Sequence, residues 1–414
     1  GGTVERYVPM PMGYINYTFD DDDRTGYRVF LYDNYSTETA DTSVRVYTNA
    51  TNVINVNNLY FSRPGYQHRW SQYPTTEYED AVESVQINDD GALYAIWGAG
   101  VYTITLNKDG GSGGPTAIYL KYGDGFYSDE DCIQKITSLA EPTKANYNFL
   151  GYYSSSGAQI IDANGNIVGS TTFTTADASL TARWEGADKT VTVNLHYGVS
   201  NAATVYVTIN GEAHSYTAQP GSGTATTMTF TVPFNTANVQ PTARHAGGSG
   251  SYMLTWTAPT TVSTTTANTN VTGTSFTMGT DRTIDLYFYQ IFTLTVTRDT
   301  NQMASATTNY TNILYSSATP TNNYPFAATV SATAATGYGF SSWSVVSGSA
   351  KIPSTTSAQT YVTLTSNATI RANATALSYR VIFNSNKPST ASGSIGGSMS
   401  PQTLYWDSSD NLNS

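Results

Sequence analysis

Histidine and cysteine, the side chains best suited to metal binding and nucleophilic attack, are rare and scattered in this chain. Cys132 is the single cysteine, so an intrachain disulfide is excluded. The sequence offers Cys132 no evident histidine partner, and we interpret it as a small buried apolar side chain. The histidines lack the spacing of a metal site; they are His68, His196, His214 and His245.

Two stretches carry the oxygen ligands that calcium prefers. Residues 20–23 are four aspartates, but they lack the glycine and the ligand spacing of a calcium loop, which favours a solvated acidic turn. Residues 162–166 read Asp-Ala-Asn-Gly-Asn, and their glycine falls too early for such a loop. Because isoleucine and valine residues flank this segment, Asn164-Gly165 predicts a hairpin turn.

Three further patterns could serve ligand binding or catalysis. The acidic pairs Glu77/Glu79 and Asp129/Asp131 are candidates for general acid–base work, but nothing marks a cleft around them, which favours solvated surfaces. Residues 110–114 are Gly-Gly-Ser-Gly-Gly, yet no Gly-Lys-Ser/Thr follows, so we expect a flexible loop between strands rather than a phosphate cradle. No motif selects a lysine–asparagine pair for an intramolecular crosslink. The sequence thus predicts no catalytic, cofactor-binding or metal-ligating residue, and we expect a protein that is not an enzyme.

The composition indicates packed cores under an unusually uncharged surface. Of 414 residues, 39% are apolar and 13% aromatic, whereas only 12% are charged, about half the usual share. A surface rich in Thr, Ser and Asn is typical of exported surface proteins and fibres. The net charge of −11 argues against nucleic acid and against binding to anionic lipid. The 32 tyrosines suit contacts with proteins or sugars, although they also suit half-solvated sheets in place of phenylalanine.

The sequence shows no targeting or membrane signal. No run of about eighteen apolar residues could span a membrane, and the start at Gly1-Gly2 without a signal peptide indicates a processed or trimmed end. Some Asn-x-Ser/Thr triplets are expected by chance in so Thr- and Asn-rich a chain, and they are candidate glycosylation acceptors. They begin at Asn16, Asn34, Asn49, Asn270, Asn309, Asn367 and Asn373.

Alternation of apolar and polar residues predicts strands almost throughout. Residues 101–106, 190–195, 204–209 and 292–297 alternate at period two, with threonine on the solvent side. The only helical candidate is residues 129–136, which begin with acidic residues that complement a helix N-terminus. We therefore predict a mainly β protein.

A Gly-aromatic-x-aromatic segment followed by a strand that ends in an aromatic recurs along the chain. The copies are residues 63–70 with 93–97, residues 145–153 with 180–184, and a divergent one at 336–343 with 368–373. Repetition of a small unit indicates an array that serves length, display or adhesion. We expect the aromatic residues of the repeat to form the cores; they are Tyr66, Trp70, Trp97, Tyr147, Phe149, Trp184, Phe340 and Trp343.

Five segments follow from these patterns. The chain divides into tandem small β repeat modules and one β-sandwich-like domain. The predicted segments are 1–99 (an N-terminal extension plus a module), 100–186 (a module), 187–290 (the β-sandwich-like domain), 291–377 (a divergent module) and 378–414 (the opening half of a further module).

The repeat resembles a known family, the Listeria–Bacteroides repeat, or B-repeat, of internalin-type surface proteins. In residues 101–186 the resemblance is carried by residues 104–111, 146–153 and 180–184, and in residues 27–98 it is carried by 63–66 and 93–97. Residues 292–376 resemble a divergent form of the repeat through 337–349, and residues 379–404 resemble its opening half. It implies a β-grasp-like module with a curved sheet and one short helix, found in exported multidomain proteins and without catalytic residues. His68 and Arg69 depart from the pattern.

The C-terminal segment holds an opening strand and residues 399–404 without a closing strand. Unpaired edges and exposed apolar residues such as Val381, Phe383 and Leu404 would result. Our expectation is that the protein continues beyond Ser414; the alternative is that another subunit supplies the missing strands.

The function that fits best is a non-enzymatic extracellular structural or adhesive protein, a cell-surface stalk or fibre of tandem β modules. Its partner would be a protein or glycan surface, or copies of itself in a fibre, with no cofactor. Two alternatives stay open: a phage or virion fibre or decoration protein, and the carbohydrate-binding portion of a larger secreted enzyme.

Overall fold

The computed structural model of the protein forms two compact units, residues 1–186 and 187–414. The residues that it describes are 4–10, 13–19, 26–33, 42–47, 53–55, 61, 63–74, 82, 84–86, 88–89, 91–172, 178–384, 386, 389–390, 392–393, 399–409 and 412. These residues form strands, turns and loops without any helix, and the prediction of a mainly β fold is confirmed. No described helix could therefore span a membrane.

Fifteen strands lie in the first unit. They are β1 (Val4–Met10), β2 (Gly13–Phe19), β3 (Gly26–Tyr32), β4 (Thr42–Tyr47), β5 (Val53–Asn55), β6 (Tyr66–Ser71), β7 (Ser84–Gln86), β8 (Gly91–Ala99), β9 (Val101–Asn107), β10 (Ala117–Lys121), β11 (Gly125–Tyr127), β12 (Lys135–Ile136), β13 (Tyr147–Tyr153), β14 (Gln159–Ile161) and β15 (Ala178–Gly186) among the described residues.

The strands of the second unit include one of 17 residues. They are β16 (Asp188–Val199), β17 (Ala203–Ile209), β18 (Glu212–Ala218), β19 (Gly221–Pro233), β20 (Thr242–His245), β21 (Ser251–Thr255), β22 (Val271–Thr272), β23 (Arg282–Arg298), β24 (Met303–Thr308), β25 (Asn312–Leu314), β26 (Ala328–Ala334), β27 (Tyr338–Ser347), β28 (Ala350–Lys351), β29 (Gln359–Leu364), β30 (Ala368–Ala376), β31 (Ser378–Val381) and β32 (Gln402–Tyr405).

One sheet pattern recurs four times. In the sheet built on β9, this first strand pairs antiparallel with β10 on one side and parallel with the last strand, β15, on the other. The last strand then pairs antiparallel with β13. The same order is found in β4-β3-β8-β6, in β19-β16-β23-β21 and in β25-β23-β30-β27. We call each such sheet, with the elements packed on it, a module, and number the modules one to four along the chain.

The third module has the repeated order although residues 187–290 lack the Gly-aromatic segment in its expected spacing. Gly250, Tyr252 and Trp256 precede the last strand, with Ser251 inserted between the glycine and the first aromatic. A second sheet, β18-β17-β20-β22, packs on the first, and valines of β16 and β17 share one core. The fourth module also has a second sheet, β24-β26-β29-β28, which packs on its own core.

Threonine–valine alternation explains these layers. In β16, Val191, Val193 and Leu195 are fully buried, while the intervening Thr192 and Asn194 are half-buried. Branched side chains fit the pleated, half-buried surface of a strand, and each buried apolar side chain stabilises the fold by about 1.5–3 kcal/mol. A strand that alternates in this way therefore closes one face of a core and presents threonine to water.

The helix predicted at residues 129–136 is wrong, and the described residues contain no helix of the kind that the family resemblance implied. Both carboxylate oxygens of Asp129 accept backbone N–H groups, from Ile133 at 2.8 Å and from Gln134 at 2.7 Å. An aspartate that satisfies nearby N–H groups in this way competes with helix formation. Cys132 has a φ of 52°, which ends any right-handed turn, and Lys135–Ile136 pairs with β11.

The aromatic residues predicted for the cores fall into three groups. Trp70, Phe149 and Trp343 are buried, with 2%, 9% and 3% of their surface exposed. Half-buried side chains that pack against the same cores are those of Trp97, Trp184 and Phe340. Tyr66 and Tyr147 are half-buried at the first residue of β6 and β13, where the strand has only begun to enter the sheet, so the prediction of a core role is wrong for them.

We expect the two cores that share β23 to depend on its alternate leucines. Leu286 and Leu294 are 0% and 1% exposed in the third and fourth modules. Either leucine replaced by alanine should lower the free energy of unfolding of its module by about 2–5 kcal/mol. Thr295→Ala, at an exposed position of the same strand, is the matched control and should cost less than about 1 kcal/mol. Urea unfolding read by limited proteolysis measures all three, and a leucine variant as stable as the control would contradict the assignment of these cores.

Candidate functional site at the module junctions

Successive modules follow each other with almost no linker. Gly100 alone separates β8 from β9, and Leu377 alone separates β30 from β31. In the second unit, β23 runs without a break from the third module into the fourth. The last strand of one module thus leads directly into the first strand of the next.

A pair of backbone hydrogen bonds fixes two of these junctions. Gly100 donates its N–H to the carbonyl of Gly65 at 2.9 Å and accepts the N–H of Tyr122 at 2.9 Å. Leu377 likewise donates to the carbonyl of Gly337 at 2.8 Å and accepts the N–H of Trp406 at 2.9 Å. The junction residue therefore connects the Gly-aromatic segment that precedes it in the chain to the hairpin that follows it.

Glycine is required at these junctions for two reasons. Gly65 and Gly337 have φ values of 84° and 86°, a left-handed conformation that costs other residues about 1–2 kcal/mol. In addition, a Cβ at Gly65 would overlap the ring of Tyr122, and one at Gly337 would overlap the indole of Trp406. The glycine at the start of the repeat is thus explained by an aromatic ring that lies against its backbone. Asn146, with a φ of 64°, takes the equivalent position in the second module.

A hydrogen bond from the backbone N–H of an aromatic residue to the carbonyl of a junction residue occurs four times among the described residues. Three of the donors follow the strand that pairs antiparallel with the first strand of their module, and the fourth follows β32 of the C-terminal hairpin. The pairs are Tyr122 with Gly100, Phe234 with Ala187, Tyr315 with Gln290, and Trp406 with Leu377, at 2.8–2.9 Å. Sequence reasoning missed these donors, and their signal is an aromatic residue directly after the strand that pairs antiparallel with the first one.

Each of the two modules of the first unit contains a cluster of one cation and two aromatic rings. Arg63 lies 3.9 Å from the ring centre of Tyr66 and 5.8 Å from that of Trp97. The equivalent Lys144 lies 4.8 Å from Tyr147 and 5.7 Å from Trp184. Cation–π contacts at half-exposed sites contribute about 0.5–1 kcal/mol, and they account for the two tyrosines that lie outside the cores.

The closing tryptophan of each cluster is held by a main-chain carbonyl. Trp97 donates its indole N–H to Asp33 at 2.5 Å, and Trp184 donates to Lys108 at 3.0 Å. Both acceptors come directly after the first strand of the module. Residues 110–114 follow the Lys108 carbonyl, and within them Gly111 lies against the Trp184 indole.

The structure does not bring the four histidines together. His68 accepts the N–H of Phe61 at 3.2 Å, and His245 is 2% exposed between the carbonyls of Ala246 and Thr265. His196 lies 2.9 Å from a carboxylate oxygen of Asp285. His214 lies 2.7 Å from Glu212, and this contact lowers the pKa of the Glu212 carboxyl. In the part of the chain that the structure describes, no three His, Cys, Asp or Glu side chains are grouped to hold a metal ion.

The other candidates of the sequence have structural roles or lie outside the described residues. Cys132 is half-buried in the turn after β11, and burial raises the pKa of its thiol, which makes it a poorer nucleophile. The turn predicted at residues 162–166 forms: Asp162 accepts the N–H groups of Asn164 and Asn166 at 2.9 and 2.8 Å. Its hydrogen bonds with Asn166 lower the pKa of this carboxyl. Residues 20–23, Glu77 and Glu79 lie outside the described residues.

The C-terminal strands β31 and β32 pair as an antiparallel hairpin. Val381, Phe383 and Leu404, expected to be exposed, are half-buried, whereas Ile382 is 66% exposed. Trp406 lies against Gly337, and Asp407 accepts the hydroxyl of Tyr338 at 3.1 Å. The hairpin is therefore attached to the fourth module through the junction.

Comparisons with known proteins give little guidance. No family model and no curated protein matches the chain, so the Listeria–Bacteroides resemblance stays an interpretation of the motifs. Among solved structures, two B repeat units of the collagen binding protein of Staphylococcus aureus align with a TM-score of 0.18 at 9% identity, covering 85% of this chain and 100% of that chain. A likeness at that score carries no argument about fold or function.

We expect Gly337→Ala to release the C-terminal hairpin from the fourth module, because the new Cβ would be strained and would displace the Trp406 indole. Limited proteolysis should then cut residues 378–409 faster, while residues 291–376 stay protected. Gly339→Ala is the matched control, since Gly339 lacks a positive φ and its Cβ would meet only Leu377, at 3.3 Å. Equal cleavage rates in the two variants would refute the role assigned to Gly337.

Proposed function

We propose that this chain is a non-enzymatic extracellular structural or adhesive protein, whose tandem β modules form a cell-surface stalk or fibre that carries tension. The observation that carries the proposal is the parallel pairing of the first and last strands in every module. This pairing determines how force applied to the ends of a module reaches its hydrogen bonds.

Tension between the two ends of a module loads this parallel ladder in shear. The chain enters at the start of the first strand and leaves at the end of the last strand, and in a parallel pair these points lie at opposite ends of the ladder. All hydrogen bonds between the two strands must then break together rather than one after another. Resistance to forced unfolding depends on the unfolding barrier, so this geometry suits a protein that works under load.

The length of the parallel ladder differs between the modules. In the third module, residues 191–198 pair with 282–289. The ladders of the other modules are shorter: 29–32 with 91–94, 104–107 with 178–181, and 294–298 with 368–372. The third module should therefore be the most resistant of the four to forced unfolding.

The junctions support transmission of force between modules. β23 is the last strand of the third module and the first strand of the fourth, so no loop intervenes between their two ladders. At Gly100 and Leu377 a single residue connects strands, and its hydrogen bonds hold the next hairpin in place. At these junctions, little of the chain can therefore extend under tension before the ladders themselves are loaded.

Composition and motifs support an extracellular setting. Only 12% of residues are charged, and the surface is rich in threonine and asparagine, as in exported fibres. The motifs similar to internalin-type B-repeats support a surface protein whose partner is a protein, a glycan or another copy of the chain. Among the described residues, His196 and His214 each contact one carboxylate, and Asp129 holds a turn, which favours a protein that is not an enzyme.

Single-molecule force spectroscopy tests the proposal. With handles at the two chain ends, we expect separate unfolding events, of which the one at highest force releases about 350 Å of chain, the extended length of residues 188–290. The longest parallel ladder is the reason for that order.

A second attachment geometry provides the control. Asp188 and Pro233 face each other at the open end of the antiparallel pair β16–β19. Handles on Asp188→Cys and Pro233→Cys, in a Cys132→Ser background, would peel these strands apart pair by pair. The third module should then open at clearly lower force. An equal or higher force in this geometry would contradict a function under tension.

A further inference from the structure

The third module contains a half-open cavity of about 370 Å³, within the size range of small-ligand pockets. It lies where the pairing of β21 with β23 ends, at Thr255 opposite Tyr287. The chain then continues through Trp256 along the rim. Aromatic and polar side chains both line this cavity; among them are Trp256, Phe276, Tyr287, Arg282, Asp285 and Thr257.

The aromatic walls are held in fixed positions. Trp256 donates its indole N–H to the carbonyl of Val271 at 3.0 Å, and its ring lies against Gly273, where a Cβ would come within 3.2 Å of it. Tyr287 stacks on His196, with ring centres 4.7 Å apart and planes inclined by 13°. Rings fixed in this way can contact a ligand with little loss of conformational entropy.

An acceptor and a donor at the cavity keep unused hydrogen-bonding capacity. Asp285 uses one carboxylate oxygen, Oδ1, for His196 at 2.9 Å and Asn194 at 3.4 Å. Its Oδ2 has no partner among the described residues. The guanidinium of Arg282 lies 4.3 Å from the ring centre of Phe276, and within the described ranges it forms no hydrogen bond or ion pair. A carboxylate oxygen and a planar guanidinium are thus both available to a ligand.

We propose that this cavity binds a neutral hexose unit of a glycan. The apolar faces of a pyranose ring match aromatic walls, while its hydroxyl groups can donate to Asp285 and accept from Arg282. A charged acceptor and a charged donor in the same cavity suit a group that can donate and accept hydrogen bonds, which a hydroxyl is. The exposed carboxylate and the net charge of −11 disfavour an acidic sugar. Arg282, Asp285 and Tyr287 belong to the strand that forms the parallel ladder. The sugar assignment is nevertheless independent of the mechanical role, because it rests on side chains, whereas the ladder consists of backbone hydrogen bonds.

Ligand-observed saturation-transfer NMR with the full chain tests the site. The probes are the methyl glycosides of glucose, galactose and mannose, with galacturonic acid as the acidic comparison. We expect at least one neutral glycoside to bind and to bind more tightly than galacturonic acid. Absence of binding by all three, or tighter binding of the acid, would overturn the proposal.

Two variants and a control assign the binding to this cavity. Asp285→Asn should weaken binding by about tenfold or more, because a hydrogen bond to a charged acceptor is lost. Arg282→Gln, at an exposed position, should weaken it too and serves as the second variant if the first fails to fold. Asp281→Asn lies outside the cavity lining and keeps the oxygen that accepts the N–H of Thr190; its affinity should equal that of the parent chain. Affinity unchanged in the folded cavity variants, or reduced equally in the control, would refute the site.

Discussion

The parallel pairing of the first and last strands of each module is the interaction on which the rest of the structure depends. It brings the two ends of a module's sequence together at the centre of its sheet, and the antiparallel partners on either side complete the layer. The buried side chains of these two central strands, such as Val193 and Leu286 in the third module, contribute to one core. Since parallel pairs are distant in sequence, the ladder forms only when the whole module has folded.

The recurring glycine and aromatic residues follow from this arrangement. The last strand of one module leads directly into the first strand of the next. The first hairpin of the later module therefore contacts the start of the Gly-aromatic strand of the earlier module. A left-handed glycine at that point, Gly65 or Gly337, lets an aromatic ring lie against the backbone. The repeat in the sequence is therefore as much a signature of the junctions within each unit as of the cores.

Much of the sheet structure could be predicted from local patterns, whereas long-range contacts could not. Alternation predicted the strands, and Asn164-Gly165 predicted a turn that forms. The sheet order of the third module was missed because Ser251 alters the spacing between Gly250 and Tyr252. The helix predicted around Cys132 was wrong because the Asp129 carboxylate satisfies the N–H groups that a helix would use. The cavity beside Trp256 joins residues from distant strands, which no local pattern reveals.

Amide hydrogen exchange measures the parallel ladder directly. In the third module, the amides that connect residues 191–198 with 282–289 should exchange only through unfolding of the whole module, and hence be its slowest. The amides of the short strand β22 at the end of the second sheet should exchange much faster by local opening. Ladder amides that exchange as fast as those of β22 would contradict the account, because the two central strands would then separate without unfolding the module.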